Sequence, residues 1–227
     1  MSLSGLPSTG TKNGSRTLRF TKDGTFKISI FSDLHYGECE REKRLFLFLE
    51  WALLTFSTAE DSIGPENDAQ TGNVMSKILA TEQPQLAVLN GDLITGDAGQ
   101  GFNVSSYVDH VIRPLVDHNV SWASAYGNHD NAGDLCSSDV FERETRYQNS
   151  LTMKMVSDPS AGVTNYYQPV FPHNTSAEVP QAILWFFDTK GGNVCSGDHE
   201  KRPTWVHQSV SVPWWFILLK FAALTNT

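Results

Sequence analysis

Three aspartates, two histidines and an asparagine fall in three short fragments of this chain: Asp33-Leu34-His35, Gly91-Asp92 and Gly127-Asn128-His129-Asp130. Carboxylate, imidazole and amide oxygen are donors that transition metals accept. Asp33 and His35 are two residues apart, so on a strand both would leave from one face and grip one ion. Gly91 lets the backbone turn off its strand, and Asp92 then faces the crevice beyond the sheet. The two oxygens of Asp92 can span two cations about 3.5–4 Å apart. Asn128 offers a neutral oxygen ligand, His129 can transfer a proton, and Asp130 can either orient its imidazole or hold a contact behind the ligands. Together these groups make the ligand chemistry of a two-metal hydrolase.

The fragments need strands to carry them, and each follows an apolar run. Residues 26–31 are β-branched and aromatic, entered from the turn signal Asp23-Gly24. Residues 86–89 are apolar throughout, as in a strand covered on both faces. Residues 120–126, 166–171 and 182–187 read as further strands. Helices are expected at 40–57, at 74–81 (stopped before Pro84), at 104–118 with Pro114 inside, and at 139–156, capped by Ser138 or Asp139. Residues 58–72, with Gly64-Pro65, read as a loop, and 1–19 as a loose polar arm. Strand, helix, strand, helix, strand, with motifs at strand exits, predicts an α/β fold with its site at the carboxyl ends of the strands.

The chain has 227 residues, one domain by its size and lack of an internal linker. Its net charge of −8 argues against a nucleic-acid binder held by backbone phosphates. A negative protein can still act on phosphate esters if metal cations supply local positive charge. Cys39, Cys136 and Cys195 are odd in number and form no CxxC pair, so free thiols are expected rather than a zinc knuckle or a disulfide. Asn13, Asn103, Asn119 and Asn174 open Asn-x-Ser/Thr triplets too common to argue secretion. With no basic stretch and apolar core at the N-terminus, an intracellular soluble location is expected. The apolar stretch 212–224 is interrupted by Lys220 and falls short of the about 20 residues of a membrane span. Tyr36, Tyr166 and Tyr167 are read as packing residues.

The three fragments resemble the first three blocks of the calcineurin-like metallophosphoesterases. Residues 32–37 (Ser-Asp-Leu-His-Tyr-Gly) and 90–93 (Asn-Gly-Asp-Leu) are similar to the fungal and plant branch related to purple acid phosphatases. Trp205 and Gln208 resemble the helix that follows the fifth strand there. The resemblance runs from about 26 to 210 and implies a sandwich of two mixed β-sheets flanked by helices. It implies that Asp33 and His35 bind one metal, Asp92 bridges two, and Asn128 binds the second. His129 would then protonate the leaving group or stabilise the phosphoryl charge, with Asp130 behind the ligands. The two ions would be Mn, Fe or Zn, the nucleophile a metal-bound hydroxide, and the substrate a phosphomonoester on a small molecule or a phosphoprotein. The family also supplies a Gly-His-x-His block, and none occurs here; His173, His199 and His207 lack the strand-end context. The expected layout is therefore an arm at 1–22, a phosphoesterase domain at 23–210 lacking its C-terminal part, and an atypical apolar tail at 211–227. The alternative is a catalytically incompetent N-terminal fragment of such a phosphatase.

Overall fold

The computed structural model describes residues 16–38, 63–95, 103–133, 135–192, 194–195 and 203–210. The expected helix at 40–57, the tail at 211–227, Cys39 and His199 lie outside the described residues.

Strands β2 (Ile28–Phe31), β3 (Leu86–Asn90) and β4 (Trp122–Ala125) form a parallel sheet in the order β2-β3-β4. Strands β1 (Leu18–Arg19), β5 (Tyr166–Phe171) and β6 (Ala182–Phe186) form a second sheet, β1 parallel and β6 antiparallel to β5. Part of the stretch read as a loose arm is therefore built into a sheet. Among the described strands only this second sheet is mixed.

The central strand β3 explains its own composition. Ala87 and Leu89 pack with Phe31 beneath the helices, and Leu86 packs on the other face with Ala123, Tyr166, Val170 and Phe186 of the facing sheet. Covered on both sides, β3 is apolar from Leu86 to Leu89 and turns polar only at its exit, Asn90. Tyr166 stacks on Phe186, ring centroids 4.6 Å apart, between the sheets. Tyr36, Tyr166 and Tyr167 are all buried in core clusters, as packing residues should be.

Helix α1 spans Ile63–Glu82, so 63–72 is helix, not the expected loop. Pro65 sits in the first turn, where a missing N–H costs nothing, and the polar residues that follow line a solvent face. Met75 and Leu79, four apart, are buried. Helix α2 spans Val104–Asp117 and starts where the Asn103 side chain accepts from Ser106 N–H at 3.2 Å. Tyr107, Val108, Val111, Ile112 and Leu115 form its buried stripe.

Helix α3 is short, Ser137–Glu144, with Cys136 as N-cap, where the sequence predicted a long helix to 156. The chain instead runs alongside β4: Trp122 N–H donates to Asn149 O (3.2 Å) and Leu151 N–H to Trp122 O (2.7 Å). Thr145, Asn149, Ser150 and Thr152 are weak helix formers, and a place beside β4 outweighs their helical option. Trp205 lies in a bend, exposed, with helical backbone only at 208–210.

Candidate metal centre

The three predicted fragments meet at the carboxyl ends of β2, β3 and β4. Pairing between β2 and β3 continues past both strands: Asp33 N–H donates to Gly91 O, His35 N–H to Asp92 O and Tyr36 N–H to Leu93 O, each at 3.0 Å. Within this extension Asp33, His35 and Asp92 have φ of 55°, 47° and 49°. That left-handed region costs residues with a Cβ about 1–2 kcal/mol each, and these backbone bonds hold them there. The left-handed turns also break the alternation that would have put Asp33 and His35 on one face. Asp33 is exposed and takes the Ser32 hydroxyl, whereas His35 is partly buried.

The donors brought together are His35, Asp92 and His129, one ligand atom of each lying within 4.8 Å of the others. His35 Nε2 is 4.0 Å from Asp92 Oδ2, while Asp92 Oδ1 accepts the His129 backbone N–H at 2.9 Å. The two imidazoles meet edge-on with centroids 4.7 Å apart. His129, read from sequence as the proton donor apart from the ligands, therefore shares a group with two of them, and Asp33 is outside it. Nδ1 of His35 and Nδ1 of His129 are buried without a hydrogen-bond partner. Such orphans cost about 1–3 kcal/mol each. Two imidazoles and a carboxylate with donor atoms this close together fit a cation.

Gly127 is required by this packing: a Cβ there would lie 2.2 Å from Asp92 Oδ1 and 2.5 Å from Asp92 N. Asn128 opens the 3-10 turn His129–Asn131. Its other side faces Gly191, where a Cβ would lie 2.4 Å from Asn128 Cβ and 2.5 Å from its Cα.

Asp130 does not support the His129 ring. In a 3-10 turn successive side chains leave about 120° apart, so the two neighbours diverge. The fully buried carboxylate of Asp130 accepts backbone N–H groups of Leu93 (2.9 Å), Ile94 (3.0 Å) and Gly127 (2.9 Å), joining the exits of β3 and β4. Burial pushes its pKa up to about 7, against the pull of those three donors.

Glu144, which nothing local in the sequence singles out, supports β4 from behind. Trp122, Ser124 and Tyr126 alternate along that strand and its exit, so their side chains share a face. Trp122 Nε1–H (2.8 Å), Ser124 O–H (2.8 Å) and Tyr126 O–H (2.7 Å) all donate to Glu144, joined by the hydroxyls of Ser150 (3.2 Å) and Thr152. Burial, with the Glu144 carboxylate beside it, holds the Tyr126 phenol well above its ordinary pKa, so it remains a donor.

Cys136 and Cys195 form a disulfide, contrary to the expectation of free thiols. They are 59 residues apart, a spacing that carries no framework signal, and are joined because Cys195 follows β6 while Cys136 caps α3. Of the remaining histidines, His173 is exposed and His207 is engaged by Asp158 (3.6 Å) and Ser209 (2.8 Å).

Two imidazoles and a carboxylate gathered at the ends of parallel strands, in a two-sheet α/β scaffold, are a donor set suited to a metal ion. The chain belongs to the calcineurin-like phosphoesterase family, whose model matches residues 26–223, thirteen residues past the expected end of the resemblance at 210. It is 29% identical to the phosphatase DCR2 of Saccharomyces cerevisiae over 78% of this chain, and 30% identical to the probable inactive purple acid phosphatase 14 of Arabidopsis thaliana over 65%. Those matches span 28% and 33% of the relatives' own lengths. A dimetal phosphatase structure from Danio rerio aligns with TM-score 0.44 and 16% identity, covering 86% of this chain and 52% of that one.

Proposed function

We propose that the chain's site hydrolyses phosphate esters, phosphomonoesters in the first instance, at a binuclear metal centre. The observation that carries the reading is the convergence of His35, Asp92 and His129 at the parallel strand ends, one ligand atom of each lying within 4.8 Å of the others. Asp33, His35, Asp92 and Asn128 would hold the metals, Asp33 from the exposed rim. Metals of the Mn, Fe or Zn class would acidify water and neutralise phosphate oxygens. Asp92, tied to the His129 backbone, sets the spacing between the β3 and β4 exits. The His129 ring, edge-on to His35, lies where it can pass a proton to a departing oxygen. Asp130 has no chemical part and keeps the two exits in register.

A small-molecule phosphate and a phosphoprotein are both substrates that this chemistry would serve. No described helix is long and apolar enough to cross a membrane. The Cys136–Cys195 bond suits an oxidising compartment better than the intracellular one expected from the N-terminus.

The absence of Gly-His-x-His from the sequence favours a second reading, in which the chain carries the family scaffold without turnover. Metal content after dialysis and hydrolysis of an aryl phosphate decide between them. About two metals per chain, with turnover removed by a chelator and by Asp92→Asn or His129→Ala, are expected. Turnover that survives both substitutions refutes the site; metal retention without turnover selects the second reading.

A further inference from the structure

We infer that residues 188–192 and 194–195 form a strap that sets the position of Asn128, and that the Cys136–Cys195 disulfide is its thiol-responsive clasp. This rests on the reading of Asn128 as a metal ligand.

The strap is anchored first at its β6 end. Asp188 is buried; its Oδ2 accepts Val163 N–H (2.6 Å) and Thr164 N–H (3.3 Å), and its backbone N–H donates to Asn165 Oδ1 (3.0 Å). Asp188 Oδ1 also accepts the Lys190 N–H at 2.8 Å, and Lys190 Nζ donates to Ser160 O at 2.8 Å. These contacts hold Lys190, Gly191 and Gly192 in three successive left-handed conformations, φ 65°, 65° and 78°. Lys190 adopts this region at a cost of about 1–2 kcal/mol, so the anchors impose the turn rather than accommodate it.

The turn delivers Gly191 against Asn128. The atoms that a Cβ at 191 would strike are Asn128 Cα, Cβ and N, at 2.4–3.0 Å. None of these can swing aside as a side-chain end could, so the backbone of residue 191 defines one wall of the space that Asn128 occupies.

The far end of the strap is fastened to the chain that leaves Asn128. Gly133 and Cys195 form a parallel bridge, and Cys195 is bonded to Cys136. The strap and the chain leaving Asn128 thus meet at Gly191 on Asn128, at the Gly133–Cys195 bridge and at the disulfide. Reduction by an external dithiol would break the S–S bond, leave two cysteine thiols and return the reductant as its disulfide. It removes the covalent contact and leaves the backbone bridge and the Asp188 anchor to hold the strap.

Groups that orient metal ligands typically alter metal affinity 10–100-fold when removed. The test is equilibrium dialysis of the full chain with Mn(II), comparing the oxidised protein, Cys136→Ser/Cys195→Ser and Gly191→Ala, each checked for folding by circular dichroism. Gly191→Ala keeps the disulfide, so it tests the wall even if the double serine variant does not fold. Gly24→Ala is the control: φ is 82° there too, but a Cβ would meet nothing within 4 Å. We expect Mn(II) affinity to fall 10–100-fold in the double serine and Gly191→Ala proteins and to be unchanged in Gly24→Ala. Unchanged affinity in folded Gly191→Ala overturns the strap while the metal centre stands. Unchanged affinity in the folded double serine variant overturns the clasp. No Mn(II) on the oxidised wild-type chain overturns both the strap and the metal centre.

Discussion

Replacing Glu144 tests how β4 is held in place to carry the candidate site. The side chain is 1% exposed and receives five hydrogen bonds, from the Trp122 indole and from the hydroxyls of Ser124, Tyr126, Ser150 and Thr152. In Glu144→Ala the small hydroxyls can turn to other acceptors, but the Trp122 N–H and the Tyr126 phenol cannot leave the core. Orphaning those two donors costs about 1–3 kcal/mol each, and the lost packing adds to it, for about 4–6 kcal/mol. Glu144→Gln keeps one carbonyl acceptor and can donate to Tyr126; weaker neutral bonds are offset by no longer burying a charge, leaving about 1–2 kcal/mol. At about 2–4 °C per kcal/mol for a chain this size, the alanine variant should melt about 10–20 °C lower and the glutamine variant a few degrees lower. Urea unfolding followed by tryptophan fluorescence reads both, because Trp122 sits in the network. A Glu144→Ala midpoint that costs less than about 1 kcal/mol, with unchanged urea dependence, would refute the argument that this carboxylate anchors β4.

Gly127→Ala should lower stability by about 1–3 kcal/mol and reduce Mn(II) retention, because its Cβ would lie 2.2 Å from Asp92 Oδ1; dialysis against Mn(II) and urea unfolding check the two effects. Asp109 is held below its ordinary pKa by the Arg143 guanidinium, with the Tyr147 hydroxyl adding to it. A depressed carboxylate stabilises fully above its unfolded pKa near 4 and loses that contribution as pH falls through its folded value. Arg143→Ala should therefore cost about 1 kcal/mol at pH 5–8, and the gap to wild type should close below about pH 4 in a urea series; a gap that persists in acid counts against the pairing.

Much of this protein was written locally. Residues 86–90 and 166–171 read as strands from their own apolar and aromatic runs, and both are strands. The three candidate fragments were singled out by side-chain type at strand exits, and the parallel order β2-β3-β4 gathers those exits at one edge. Helix boundaries were less legible. Gly64-Pro65 signals a break by composition yet occupies a first turn, and 145–156 leaves the helical pattern because β4 offers it backbone partners. Only tertiary structure decided what meets what. Left-handed turns separate Asp33 from His35, a 3-10 turn sends Asp130 to backbone amides instead of to His129, and Glu144 finds β4. Gly191 reaches Asn128, and Cys195 reaches Cys136 across 59 residues. Periodicity and residue type report what a segment prefers by itself; these contacts join segments far apart in the chain, and their geometry exists only once the sheets and helices have packed.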